Sequence, residues 1–243
     1  MTVFKATQPV TMTASSVAGI FGFLSHNPVF EITNGNELKL ENSAHTIEVD
    51  FRSVAGHPFT YGPHGPTGGL LASLQVNEPA GAAHIAFKFS GMSVSMATLV
   101  SDVQHGQYGA ALNLFLGGND RITGSTGADH LAGFGGNDRI IGGAGNDTMS
   151  GGAGNDTFVF VHSGFGNDVI TDFTTGTLAN HDTIELHSVP GLSNFAMVKA
   201  LATVVNIGGV NHVVIHDAGV DTIQLNSVHA VSQLHSYDFH FMA

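Results

Sequence analysis

The 243-residue sequence contains no cysteine, and only seven of its residues are lysine or arginine. The first absence excludes disulfides, thiolate nucleophiles, cysteine-type zinc sites and c-type haem attachment. The second leaves 19 acidic residues largely uncompensated, for a formal net charge of −12. That balance argues against nucleic acid or an anionic membrane as a partner and points toward cations. Long apolar runs are also missing: no stretch approaches the roughly 18 apolar residues of a membrane span, so no transmembrane segment is expected. Val17–Leu24 is a short apolar run with no small-residue cleavage site after it, and the N-terminus reads as mature sequence of a soluble chain.

Familiar catalytic patterns are absent too. There is no H-E-x-x-H of a zinc protease, no G-x-S-x-G of a serine hydrolase, no P-loop, no dinucleotide fingerprint and no conventional EF-hand loop. What remains is a chain with 42% hydrophobic residues, enough to bury a core in one large or two modest domains.

What the sequence does hold is a period. Aligned on aspartate, FLGGNDRIT, GSTGADHLA, GFGGNDRII, GGAGNDTMS and GGAGNDTFV follow one another without a gap from Phe115 to Val159. Their acids are Asp120, Asp129, Asp138, Asp147 and Asp156, and a sixth unit, SGFGNDVIT, carries Asp168 after a three-residue shift. The fourth position is always glycine: Gly118, Gly127, Gly136, Gly145, Gly154 and Gly166. The eighth is always apolar: Ile122, Leu131, Ile140, Met149, Phe158 and Ile170. A flexible linker has no reason to keep an apolar residue in phase with an aspartate, and ordinary hairpins need longer strands than the three residues left between turns.

Each unit therefore divides into turn chemistry, where Gly, Asn and Asp tolerate unusual backbone angles, and a short strand whose eighth residue points inward. Two units make a coil of 18 residues with two parallel layers of strands, and coils stack at about 4.8 Å. Asp120, Asp138 and Asp156 then form one column and Asp129 and Asp147 the other, which Asp168 extends if the residues around Val161–Ser163 bulge. Carboxylates about 5 Å apart repel by roughly 0.8 kcal/mol even at the dielectric of water. A cation between coils reverses that sign, and an all-oxygen site suits calcium better than magnesium or zinc.

GGAGNDTMS and GGAGNDTFV resemble the nonapeptide repeat G-G-x-G-x-D-x-U-x of RTX proteins. GFGNDVITDF, HDTIEL, VDTIQL and the terminal SYDFHFMA resemble the segment that follows the roll in serralysin-type secreted proteins. The resemblance implies an all-β protein with a calcium-bound parallel β-roll, a two-sided solenoid, over 115–171. The strand pattern of the first half predicts a β-rich N-terminal domain over 1–114, while the resemblance adds a β cap with a type I secretion signal over 172–243. It further implies a ligand set that joins to the six aspartates and six fourth-position glycines the glycines Gly133, Gly142, Gly143, Gly151, Gly152 and Gly164, and the later acids Asp172 and Asp182. Three calcium ions are expected, at Asp120/Asp138, Asp129/Asp147 and Asp138/Asp156, and a fourth at Asp147/Asp168. The first two units depart from the pattern at Phe115-Leu116, Ser125 and Ala128, so their sites are expected to be weaker or incomplete.

Partners implied are calcium, the type I secretion apparatus, and a cell surface or extracellular polysaccharide. The reading is a secreted, calcium-binding, non-enzymatic surface or matrix protein. The alternative is a polysaccharide-modifying enzyme built on acids such as Glu31, Asp50 and Glu78, or a glycan-binding module using Arg121 and Arg139, which should stack in neighbouring coils. In the first half, Val29–Thr33, Glu37–Leu40, Thr46–Phe51, Leu70–Val76 and His84–Phe89 read as strands, His57–Gly69 as loop and Ser93–Val103 as helix. His212 and His216 in HVVIH share one face of a strand, but the 15 histidines read as separately placed rather than as a zinc or haem site.

Overall fold

The computed structural model describes the strands of the first 95 residues, Ala55, Gly56, Leu114, and residues 116–243 other than Leu178 and Asn180. Two compact units divide the chain, with Met1–Thr7 and Met12–Gly117 in the first and Gln8–Thr11 and Gly118–Ala243 in the second.

The first unit is an antiparallel sheet. Its strands are β1 (Val3–Ala6), β2 (Val29–Asn34), β3 (Glu37–Glu41), β4 (Glu48–Ser53), β7 (Leu70–Asn77) and β8 (Ile85–Ser95), and a separate hairpin pairs β5 (Thr60–Gly62) with β6 (Gly65–Gly68). Antiparallel pairing runs β1-β8-β7-β4-β3-β2. One register row holds Lys5, Lys88, Gln75, Asp50, Lys39 and Glu31, and the next holds Ala6, Phe87, Val76, Val49, Leu40 and Phe30. Alternation of polar and apolar rows is the signature of a sheet with one face toward a core. In the register Glu31 and Asp50 stand two strands apart, with Lys39 on the strand between them.

The five expected strands are found, the last of them running on to Ser95 instead of ending at Phe89. Two expectations are corrected. The stretch read as loop contains β5 and β6, because Gly and Pro are tolerated at the edge of so short a ribbon. Residues 93–95, read as the start of a helix, belong instead to β8, and the rest of that segment lies outside the described residues, as do Phe115 and Glu78.

In the second unit the nine-residue period folds as a two-layered parallel roll. One layer stacks β9 (Arg121–Thr123), β11 (Arg139–Ile141), β13 (Thr157–Val161), β15 (Thr183–His187) and β19 (Phe239–Met242), all parallel. The other stacks β10 (His130–Ala132), β12 (Thr148–Ser150), β14 (Asn167–Ile170) and β18 (Thr222–Leu225) in parallel, then adds β17 (Val210–His216) and β16 (Ala202–Ile207) antiparallel. Each three-residue strand buries only its middle residue, as the in-phase apolar position requires. Ile122, Ile140, Phe158, Ile184 and Phe239 form one ladder, and Leu131, Met149, Ile170 and Leu225 the other. All nine are no more than 3% exposed, so the two ladders facing each other are the core.

The parallel stacking thus runs beyond Thr171 through β15, β18 and β19. The three-residue shift before the sixth unit is absorbed by lengthening β13 to Val161 and placing His162 at a positive φ of 58°. A short α-helix, α1 (Phe195–Leu201), begins where the Asn194 side chain accepts the Met197 amide at 3.1 Å. The terminal Phe239–Met242 segment packs as a strand on β15, with Asp238 fully buried before it. Among the described residues no helix is long and apolar enough to cross a membrane.

Candidate metal centre

Because coils repeat every 18 residues, each aspartate stands directly over the one before it, and the structure shows how they are joined. The Asp120 amide donates to Asp138 Oδ1 at 2.8 Å, Asp129 to Asp147 at 2.9 Å, and Asp138 to Asp156 at 2.8 Å. Asp147 donates to Asp168 Oδ1 at 2.8 Å despite the shifted spacing, so Asp168 extends the second column. Asp156 donates to Asp182 Oδ1 at 2.9 Å, so the first column runs on into the segment after the repeats.

One oxygen of each carboxylate is thus used by the backbone, and the other decides what the column can do. Asp138, Asp147, Asp156 and Asp168 are each at most 2% exposed, and their Oδ2 atoms are buried with no hydrogen-bond partner. An orphaned buried carboxylate oxygen carries its full desolvation cost. The cost is visible in the acidities. Burial, reinforced by the neighbouring aspartates and opposed by the backbone N–H bonds, lifts Asp138 to about 7, Asp147 and Asp156 to about 6, and Asp168 to about 8.

Glycine makes room for these carboxylates. A β-carbon on Gly133 would collide with the Asp138 carboxylate and lie 2.6 Å from the Gly151 carbonyl oxygen, and one on Gly142 or Gly151 would collide with Asp147 or Asp156. Gly154 is needed for a different reason: its φ of 137° is closed to other residues, and the Gly136 carbonyl fills the space a side chain would need. The remaining glycines of the expected set sit in the same turns, with Gly136, Gly143, Gly145, Gly152, Gly164 and Gly166 at positive φ. Gly118 and Gly127, in the two departing units, do not share that conformation.

One end of each column is closed by hydrogen bonds. Ser125, standing where the pattern has glycine, donates its amide (2.6 Å) and hydroxyl (2.9 Å) to Asp129 Oδ2. Asp182 Oδ2 accepts the Thr174 amide at 2.8 Å, while burial still raises its pKa. Asp172 joins neither column: its carboxylate accepts the Ser150 hydroxyl (2.6 Å) and the amides of Gly151 (3.0 Å) and Gly152 (2.9 Å).

A second, uncharged ladder runs beside the acids. Asn137 and Asn155 donate their amides to the Asn119 and Asn137 side-chain oxygens at 2.7 and 2.9 Å, and Asn167 donates to Asn146 at 2.9 Å. Ala128 stands where the second column would need the next asparagine.

Among the described residues no three histidine, aspartate or glutamate side chains converge on one point. A cation in the roll would therefore be held by carboxylates of successive coils and completed by backbone oxygens and water, a donor set that fits calcium. His212 and His216 have separate occupations: His212 Nδ1 donates to the Asn226 carbonyl at 3.0 Å, and His216 Nε2 lies 3.0 Å from the Thr203 hydroxyl. Arg121 and Arg139 are register partners, but Arg139 is engaged by Glu185 at 2.6 Å, and Glu185 also meets His187 at 2.9 Å. Hydrogen bonding from Arg139 holds the Glu185 carboxyl well below the usual range.

Stacked turns with buried acids between two ladders of apolar residues define a parallel β-roll of the cation-binding kind. A family model for the RTX calcium-binding nonapeptide repeat, in four copies, matches residues 116–149 and 133–170, so this stretch consists of calcium-binding RTX repeats. The solution structure of the AlgE6R3 subunit of a mannuronan C5-epimerase from Azotobacter vinelandii is similar at 28% identity and a TM-score of 0.41, over 51% of this chain and 74% of that one. The crystal structure of the extracellular lipase LipA from Serratia marcescens is similar at 18% identity and a TM-score of 0.34, over 89% of this chain and 31% of that one. No curated protein matches the chain.

Proposed function

We propose that the chain is a secreted protein whose roll folds on meeting extracellular calcium, and that its first unit serves attachment to a surface or matrix rather than catalysis. The observation that carries the reading is the set of four buried Oδ2 atoms, on Asp138, Asp147, Asp156 and Asp168, that have no partner. Carboxylates stacked in this way repel one another and are costly to bury, so the fold is strained until positive charge enters each column. Three ions are assigned to Asp120/Asp138, Asp129/Asp147 and Asp138/Asp156, and a fourth to Asp147/Asp168. The Asp129/Asp147 site is the weakest, since Ser125 already occupies one oxygen of Asp129.

Sites of this extracellular type have dissociation constants around 10⁻⁴–10⁻³ M, far above free calcium inside a cell. The chain would stay unfolded during passage through a type I secretion apparatus and gain folding free energy from metal binding outside. A calcium titration of the whole chain, followed by far-ultraviolet circular dichroism, tests the reading. A cooperative gain of β signal between about 0.1 and 10 mM is expected. A spectrum that chelator leaves unchanged would refute it.

A further inference from the structure

Outside the nonapeptide turns the second unit buries another pair of carboxylates, and among the described residues no lysine or arginine pairs with them. The loop Asp217–Asp221 joins β17 to β18, and Asp217 and Asp221 are 6% and 5% exposed. Asp217 Oδ1 accepts the amides of Gly219 (2.7 Å) and Asp221 (3.1 Å), while its Oδ2 is buried without a partner. The Asp221 carboxylate accepts the amides of Gly164 and Gly166, the turn that leads into β14. The basic residues of this unit are Arg121, Arg139 and Lys199. Arg139 is bonded to Glu185, Lys199 lies over the Phe195 ring, and Arg121 is on β9, at the far end of the stack from β18.

Hydrogen bonds within the loop account for Asp217 Oδ1, and those from the Gly164–Gly166 turn for both oxygens of Asp221. They leave Asp217 Oδ2 as a charged atom shielded from water with no partner, which is tolerated when an ion sits against it. We infer that the Asp217–Asp221 loop is a further calcium site, in which Asp217 Oδ2 is a ligand and backbone oxygens and water complete the shell. Asp221 contributes a second negative charge and ties the loop to the Gly164–Gly166 turn. An ion bound here fastens the β17–β18 hairpin to the end of the second acid column. The choice of calcium rests on the proposed function of the roll; the site itself rests on the loop.

The test uses the full chain carrying Asp217→Asn. Asparagine keeps the oxygen that accepts the Gly219 and Asp221 amides and replaces the orphaned charge with an amide. Calcium bound per chain is counted by equilibrium dialysis and atomic emission, beside wild type and Asp138→Asn. One ion fewer than wild type is expected for Asp217→Asn, with the midpoint of the calcium-dependent circular dichroism transition within about twofold of wild type. An unchanged count at unchanged affinity overturns the inference.

Thermal melts separate a lost ligand from a damaged loop. Asp217→Asn should melt no lower than wild type in chelator at about pH 5, where the calcium-free roll holds β structure, and lower than wild type in calcium. Equal destabilisation under both conditions overturns the inference. Should Asp138→Asn bind as many ions as wild type while Asp217→Asn loses one, the proposed role of the roll fails and the loop site stands.

Discussion

Stripped of calcium, the roll should become less stable as pH rises, the reverse of an ordinary acidic protein held by salt bridges. Asp138 illustrates the size of the effect. Its acidity in the fold lies at about 7 against an ordinary value of 3.8, chiefly because burial disfavours the charge. Between those values the folded chain holds a proton that the unfolded chain has released, so stability falls with increasing pH. The contribution is fully present below about pH 4 and lost as pH passes through about 7. At 1.36 kcal/mol per pH unit, Asp138 alone is worth about 4 kcal/mol across that window. Asp147 and Asp156, at about 6, and Asp168, at about 8, act in the same direction. A domain stable by 5–15 kcal/mol does not absorb several such losses, so the calcium-free roll should be unfolded near pH 8 and regain β structure near pH 5.

The assay is urea unfolding of chelator-dialysed protein, followed by circular dichroism from pH 4.5 to 8.5. The lower limit keeps Glu185 ionised, because its depressed pKa gives a contribution of the opposite sense that is lost only as pH falls below the ordinary carboxylate range. Asp138→Asn should be more stable than wild type at pH 8 without calcium and should show a shallower pH slope. Saturating calcium should reverse the trend, since protons then compete with the ion. Calcium-free protein as stable at pH 8 as at pH 5 would refute the burial argument.

Three further outcomes follow from single positions. Gly154→Ala forces a side chain into a φ of 137° against the Gly136 carbonyl and should cost about 2–3 kcal/mol in calcium-saturated urea melts. Phe134 stands in the left-handed region at φ 71°, where neighbouring repeats have glycine, so Phe134→Gly should stabilise the calcium-bound form by about 1 kcal/mol in the same assay. Glu185→Gln breaks the bonds to Arg139 and His187 on a partly exposed face. It should cost no more than about 1 kcal/mol, a difference that shrinks as thermal melts are taken from about pH 4.5 toward about pH 2.

The roll was legible because two unlike signals recur in phase. Aspartate alone would suit a linker and an isolated apolar residue would suit anything, but Asp138 with Ile140 and Asp156 with Phe158 at one spacing demand stacked coils. Positions where a repeat departs from its neighbours were legible as weakness and not as structure: Ser125 was visible as a missing glycine, and only geometry shows it filling an oxygen of Asp129. Pairings that reach outside the period cannot be read from the nine-residue spacing. Asp182 closes on Asp156 across 26 residues and Asp221 on Gly164 across 57, distances set by how β15 and β18 join the layers. Asp172 belongs to the ligand set the resemblance implies, and only geometry shows its carboxylate accepting the turn amides of Gly151 and Gly152. In the first unit, alternation carried the strands, while the β5–β6 hairpin was hidden by a composition that favours loops.

The asparagine ladder has a gap, and its position matters. Side-chain carbonyls of Asn119, Asn137 and Asn146 stitch successive turns whatever the charge on the adjoining acids, but Ala128 has no oxygen to offer Asn146. That seam is also where Asp129 spends one oxygen on Ser125. Fraying should therefore begin at the edge holding β10, leaving the coils near β14 and β15 as the last to come apart.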